Sequence, residues 1–144
     1  NNMNLILENE RNQHINYEVT ESAYSSLSVN ANDFLSTLHQ RGNMILMDDF
    51  GSGVSSLSTI RDFEFDIIKI DMGFVRNIGY SQSNDSILAS LIEMIHRLEM
   101  KVVAEGVETK EQLDFLKEHG CDFIQGFYFS KPLIKNDFKK LISN

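Results

Sequence analysis

At 144 residues, 42% of them hydrophobic, the chain is sized for one globular domain and has the apolar residues to build a core. Its formal charge of −8 argues against a nucleic-acid groove or contact with an anionic membrane surface, both of which need clustered Lys and Arg. A phosphate handled by so acidic a chain requires the carboxylates to be neutralised, and a divalent metal is the natural means.

The chain opens on Asn1 and Asn2 followed by Leu5, Ile6 and Leu7, which reads as the middle of a helix, so upstream sequence is expected. Beyond that, short β-rich runs alternate with amphipathic stretches, the pattern of βα units feeding a parallel sheet. Strands are predicted near His14 to Thr20, Met44 to Asp48, Asp66 to Ile70, Lys101 to Glu105 and Asp122 to Phe127. Between them, Phe34, Leu35 and Leu38 share a helical face that stops at Gly42, and Ile87, Leu88, Leu91, Ile92 and Ile95 mark a longer helix after Asn84. Thr109 and Gln112 predict a capping box, with Leu113 and Leu116 beneath it and Gly120 as the stop. A last helix is expected over Asn136 to Ile142, capped by Asn136. No apolar run reaches the roughly 18 residues of a spanning helix, and the lone Cys121 reads as a small buried hydrophobe in a reducing, cytoplasmic setting.

Polar residues fall at or near the ends of these strands: Glu18, Asp48 and Asp49, Lys69 and Asp71, Glu105, and Gln125. A parallel barrel gathers such positions around one mouth. A single acid there usually caps the next helix, but five strands ending alike argue for a site. Asp48 and Asp49 are adjacent, so their side chains diverge in an extended chain, and a turn is needed for both to reach one metal. Paired carboxylates suit Mg²⁺ or Mn²⁺. Residues Phe50 to Leu57 follow as a loop with hydroxyls. The aromatics Phe74, Tyr80 and Phe127 are expected in core or rim packing, and the histidines His14, His39, His96 and His119 show no metal-ligand spacing. Glu111, Asp114 and Glu118 read as solvated surface.

The segments EVTES (Glu18 to Ser22), DDFGSGVSSL (Asp48 to Leu57), IIKIDMGFV (Ile67 to Val75), KVVAEGVET (Lys101 to Thr109) and GCDFIQGFYFSKPL (Gly120 to Leu133) resemble, in order and spacing, the signatures of EAL domains. The resemblance implies an α/β fold, about five βα units of a modified TIM barrel. Residues 1–144 would then be the C-terminal portion of a single EAL domain, its N-terminal strands missing, because a TIM barrel takes about 250 residues. It implies metal-dependent hydrolysis of cyclic di-GMP to linear pGpG through a two-metal site of Mg²⁺ or Mn²⁺. Glu18, Asp48 and Asp49 resemble the metal ligands, with Asp48 shared. Lys69 resembles the residue that contacts the attacking water or the phosphate, and Glu105 the general base or its close partner. Gln125 would help order water, and Glu21 would anchor the loop from Phe50 to Leu57, which links metal binding to dimer contacts in the family. Cyclic di-GMP and a second copy are thus the implied partners. The strand bearing the Glu, Ala, Leu triplet and a later Asn ligand are absent, so the isolated chain is expected to be inactive. Ser52, Val54, Met72 and Gly73 depart from the family pattern without removing a ligand. The alternative is a degenerate EAL module that binds cyclic di-GMP or a protein partner without turnover.

Overall fold

The computed structural model describes residues 16–20, 31–52, 60 and 64–143. Five strands, β1 (Tyr17–Thr20), β2 (Ile45–Phe50), β3 (Ile67–Ile70), β4 (Lys101–Glu105) and β5 (Phe123–Gln125), form one sheet in the order β1-β2-β3-β4-β5, every pair parallel. Neighbours in space are neighbours in sequence, as in a singly wound barrel wall. The helices are α1 (Ala31–Gln40), α2 (Met72–Arg76), α3 (Gln82–Arg97), α4 (Lys110–Glu118) and α5 (Lys135–Ile142).

Side chains alternate across each strand. One face of the sheet, with Ile45, Met47, Ile68, Ile70, Val102 and Ala104, packs on Leu38, Leu88, Ile92, Ile95 and Leu116 from the helices, all of them buried. The other face carries a small buried apolar cluster, Leu46, Ile67 and Val103. Two residues further along three of these strands stand Asp48, Lys69 and Glu105. Period two therefore places the charged residues on the face away from the helices, above an apolar floor.

Most predicted boundaries stand within a few residues. The Thr109 capping box is present on both sides, and Gly42 and Gly120 adopt the left-handed backbone that ends a helix. Three details differ. The α3 cap is Ser81, which accepts from the Asn84 amide, so Asn84 lies inside the first turn. Helix α5 starts at Lys135, not Asn136: the Ile134 carbonyl already accepts from the Asp137 and Phe138 amides, and no side chain caps it. Strand β5 stops at Gln125. Helix α2 was not foreseen. It is a single turn nucleated by Asp71, the residue that follows β3, whose carboxylate accepts from the Gly73 amide at 2.8 Å and so caps the helix.

At the opposite end of the strands, two histidines meet two aspartates in the same way. The Asp66 Oδ2 accepts from the Ile45 amide at 2.7 Å and bonds His39 Nε2 at 2.9 Å. The Asp122 Oδ2 accepts from the Val102 amide at 2.9 Å and bonds His96 Nε2 at 2.8 Å. Each aspartate precedes a strand and ties the start of the previous strand to the end of the helix that leads into it. His119 instead bonds the Phe115 carbonyl through Nδ1.

Burial acts to raise the Asp122 pKa, but the hydrogen bonds from His96 and the Val102 amide, with the charges of His96 and Lys101 nearby, hold it below the ordinary carboxylate value. A depressed folded pKa stabilises above the unfolded pKa of about 3.9 and is lost as pH falls through the folded value. Asp122→Ala, which also orphans the Val102 amide, should cost about 1–3 kcal/mol at neutral pH. Urea midpoints of the complete domain should show that gap narrowing below about pH 4. A gap independent of pH would show that the carboxylate charge contributes nothing.

Candidate active site

The site is built where β1 to β4 reach their C-terminal ends. Along β2, Met47 pairs with Ile68 of β3 and Phe50 with Ile70, so Asp48 and Asp49 together stand opposite the one residue Lys69. This is a bulge, and Asp49 occupies it with φ 58°, in the left-handed region that Asp tolerates better than most residues. The extra residue supplies the turn that two adjacent carboxylates need. Carboxylate oxygens of Asp48, Asp49 and Glu105 lie within 4.8 Å of one another.

Lys69 stands among these acids. Its side chain is only 7% exposed, and its Nζ lies 2.6 Å from Glu105 Oε1, 2.9 Å from Asp48 Oδ1 and 3.2 Å from Glu18 Oε2. Burial acts to lower its pKa, yet the hydrogen bonds it donates to Glu105, Asp48 and Glu18 prevail and hold it above the ordinary lysine value. Lys69 is therefore a fixed ammonium.

Glu105 pairs in register with Gln125, and the chain after β4 is held against β5 by the Val107 amide on the Gln125 carbonyl at 3.1 Å and the Tyr128 amide on the Val107 carbonyl at 2.9 Å. That approach requires Gly126, since a Cβ there would sit 2.1 Å from the Val107 carbonyl oxygen. Beside Glu105 and Gln125 opens a cavity of about 430 Å³, walled by Met72, Arg76, Phe127 and Leu133 and by Phe138 and Leu141 of α5.

Glu18, Asp48, Asp49, Lys69 and Glu105 are thus brought together, and Gln125 lies beside Glu105. Glu21 and residues 53–57 of the loop lie outside the described residues. Phe74 packs on the core and against Gly51, whereas Tyr80 is 87% exposed and fills neither core nor rim. Cys121 is partly buried, its thiol pushed up to about 11, mainly by burial. Among cavity residues, Arg76 and the α5 face were not foreseen from sequence. A basic residue one turn beyond a mouth strand was the available signal.

The family model of the EAL domain matches residues 2–132. The chain belongs to the EAL domain family. Among curated relatives it is 41% identical over 125 residues to PdeG of Escherichia coli K12, named a probable cyclic di-GMP phosphodiesterase, covering 87% of this chain and 25% of PdeG. The chain spans a quarter or less of the length of such relatives. Among solved structures, an EAL domain protein of Listeria monocytogenes superposes with a TM-score of 0.85 at 32% identity, over 98% of this chain and 56% of that one. BlrP1 of Klebsiella pneumoniae, in complex with manganese and cyclic di-GMP, superposes with a TM-score of 0.77 at 38% identity, over 85% and 31%. The five-stranded wall is therefore an EAL-type arrangement, with TIM-barrel-like neighbours.

Proposed function

We propose that this EAL chain supplies much of the active site of a metal-dependent phosphodiesterase that opens cyclic di-GMP to linear pGpG. The observation that carries this reading is the acid trio Asp48, Asp49 and Glu105 near the strand ends, two of whose members, Asp48 and Glu105, also hold the Lys69 ammonium. The donor set is all carboxylate oxygen, which fits Mg²⁺ or Mn²⁺. Glu18, Asp48 and Asp49 would hold the metals, which when bound polarise the phosphodiester and acidify an attacking water. Glu105, only 15% exposed and at the rim of the cavity, would be the general base that takes the proton from that water, or its close partner. Lys69 faces the developing phosphate charge, Gln125 orders water beside Glu105, and Glu21 would anchor the loop after β2. The adjoining cavity, apolar on the α5 side and bearing Arg76, suits a purine with an anionic phosphate. A homodimer in the cytoplasm is the assembly and setting we propose, by analogy with the family.

The test is chromatographic. The full-length protein should release pGpG from cyclic di-GMP with Mg²⁺ or Mn²⁺ and lose that activity in EDTA. Tight binding without product would instead make the chain a receptor module.

A further inference from the structure

We infer that Lys69 is the resident counter-ion of the acid cluster, and that a divalent cation competes with it for the same carboxylates. An ammonium carries three N–H donors. Here three carboxylates, those of Glu105, Asp48 and Glu18, stand 2.6–3.2 Å from Nζ, so all three donors are engaged within the cluster. Two of those acids, Asp48 and Glu105, also belong to the trio whose oxygens lie within 4.8 Å of one another. The atoms a cation would take are the neighbours Lys69 already neutralises.

Two consequences follow, and they rest on the reading of Glu18 and Asp48, both on the Lys69 ammonium, as metal ligands. Without metal, Lys69 keeps partly buried carboxylates from facing one another unneutralised, so the cluster stays assembled. With metal, each carboxylate drawn to the cation would return a donor to Lys69. Metal loading would thereby leave Lys69 with a donor for another acceptor.

Removing the ammonium should strengthen metal binding while weakening the metal-free fold. In the full-length protein, Lys69→Met should bind Mn²⁺ about tenfold more tightly by calorimetry, since a nearby like charge is lost. Its melting temperature in EDTA should fall below that of the wild type, and the rise on adding Mn²⁺ should be larger. Lys69→Arg, which keeps the charge, should stay near the wild type in affinity. If Lys69→Met does not fold without metal, refolding in saturating Mn²⁺ should rescue it, and failure of that rescue overturns the inference. Equal or weaker Mn²⁺ affinity in a folded Lys69→Met overturns it alone, leaving the phosphodiesterase reading in place. Absence of Mn²⁺ uptake by both proteins overturns the metal site and this inference together.

Discussion

Asp48→Asn in the full-length protein should reduce pGpG production at least about a hundredfold, since losing even an outer partner of a metal ligand costs about 10–100-fold. Asp48 lies in the bulge opposite Lys69, 2.9 Å from its ammonium, and shares the acid trio with Asp49 and Glu105. No other described residue joins both groups except Glu105, which sits on a different strand. The substitution preserves shape: the new carboxamide oxygen can still accept from the Asp49 backbone amide, which lies 3.0 Å from Asp48 Oδ1, and Lys69 keeps Glu18 and Glu105. Folding should therefore survive while the charge needed by a hard cation is lost. Circular dichroism and thermal melting should resemble wild type while a pGpG assay falls to its detection limit. Near-wild-type turnover would remove Asp48 from the metal site.

Residues 1–144 alone should hydrolyse no measurable cyclic di-GMP and should self-associate. Among the described residues the sheet ends at β1 and β5, and outer strands are templates for pairing with other chains. The α5 helix buries none of its residues, and Ile134, Phe138, Leu141 and Ile142, together with Phe127 and Phe129, are exposed. Such a patch on a separate particle drives association. Among the described residues, the buried apolar cluster on the face carrying Lys69 is just Leu46, Ile67 and Val103, too little to be a core by itself. The chain also spans only 56% of the Listeria EAL domain protein on which it superposes. Light scattering after size exclusion, paired with the pGpG assay, should show large or polydisperse particles without activity. Supplying the remaining barrel strands, in cis or as a second polypeptide, should restore a compact, active species. A monodisperse, cooperatively unfolding and active monomer of residues 1–144 would refute both parts.

What could be read along the chain was whatever is decided within a few residues. The Thr109 and Gln112 capping box involves positions three apart, and Gly42 and Gly120 end helices through their own backbone freedom. The apolar runs of β2, β3 and β4 declare buried parallel strands because both faces must be covered. Some roles needed the fold. Asp71 follows a strand just as the other strand-end acids do, and the Gly73 amide two residues on shows that it caps a helix. Asn136 resembled a cap because Asn usually is one, whereas the chain leaving Pro132 enters α5 one residue earlier.

By itself the sequence determined that five strands would carry Glu18, Asp48, Lys69, Glu105 and Gln125 at or near their ends, and its motifs determined the EAL resemblance. Only the tertiary structure decided which of those groups touch. Lys69 meets Glu18 from 51 positions away, and the depth of its burial depends on the parallel pairing of strands β1 to β4. The same holds for His39 with Asp66 and His96 with Asp122, 27 and 26 positions apart, whose side chains carry no local mark of being clamps. Strand alternation and helix caps are set by backbone geometry over a few residues, and so they are written locally. An ion pair across strands exists only once hydrophobic burial has set the register, because only then are two distant charges held close enough, and dry enough, to choose each other over water.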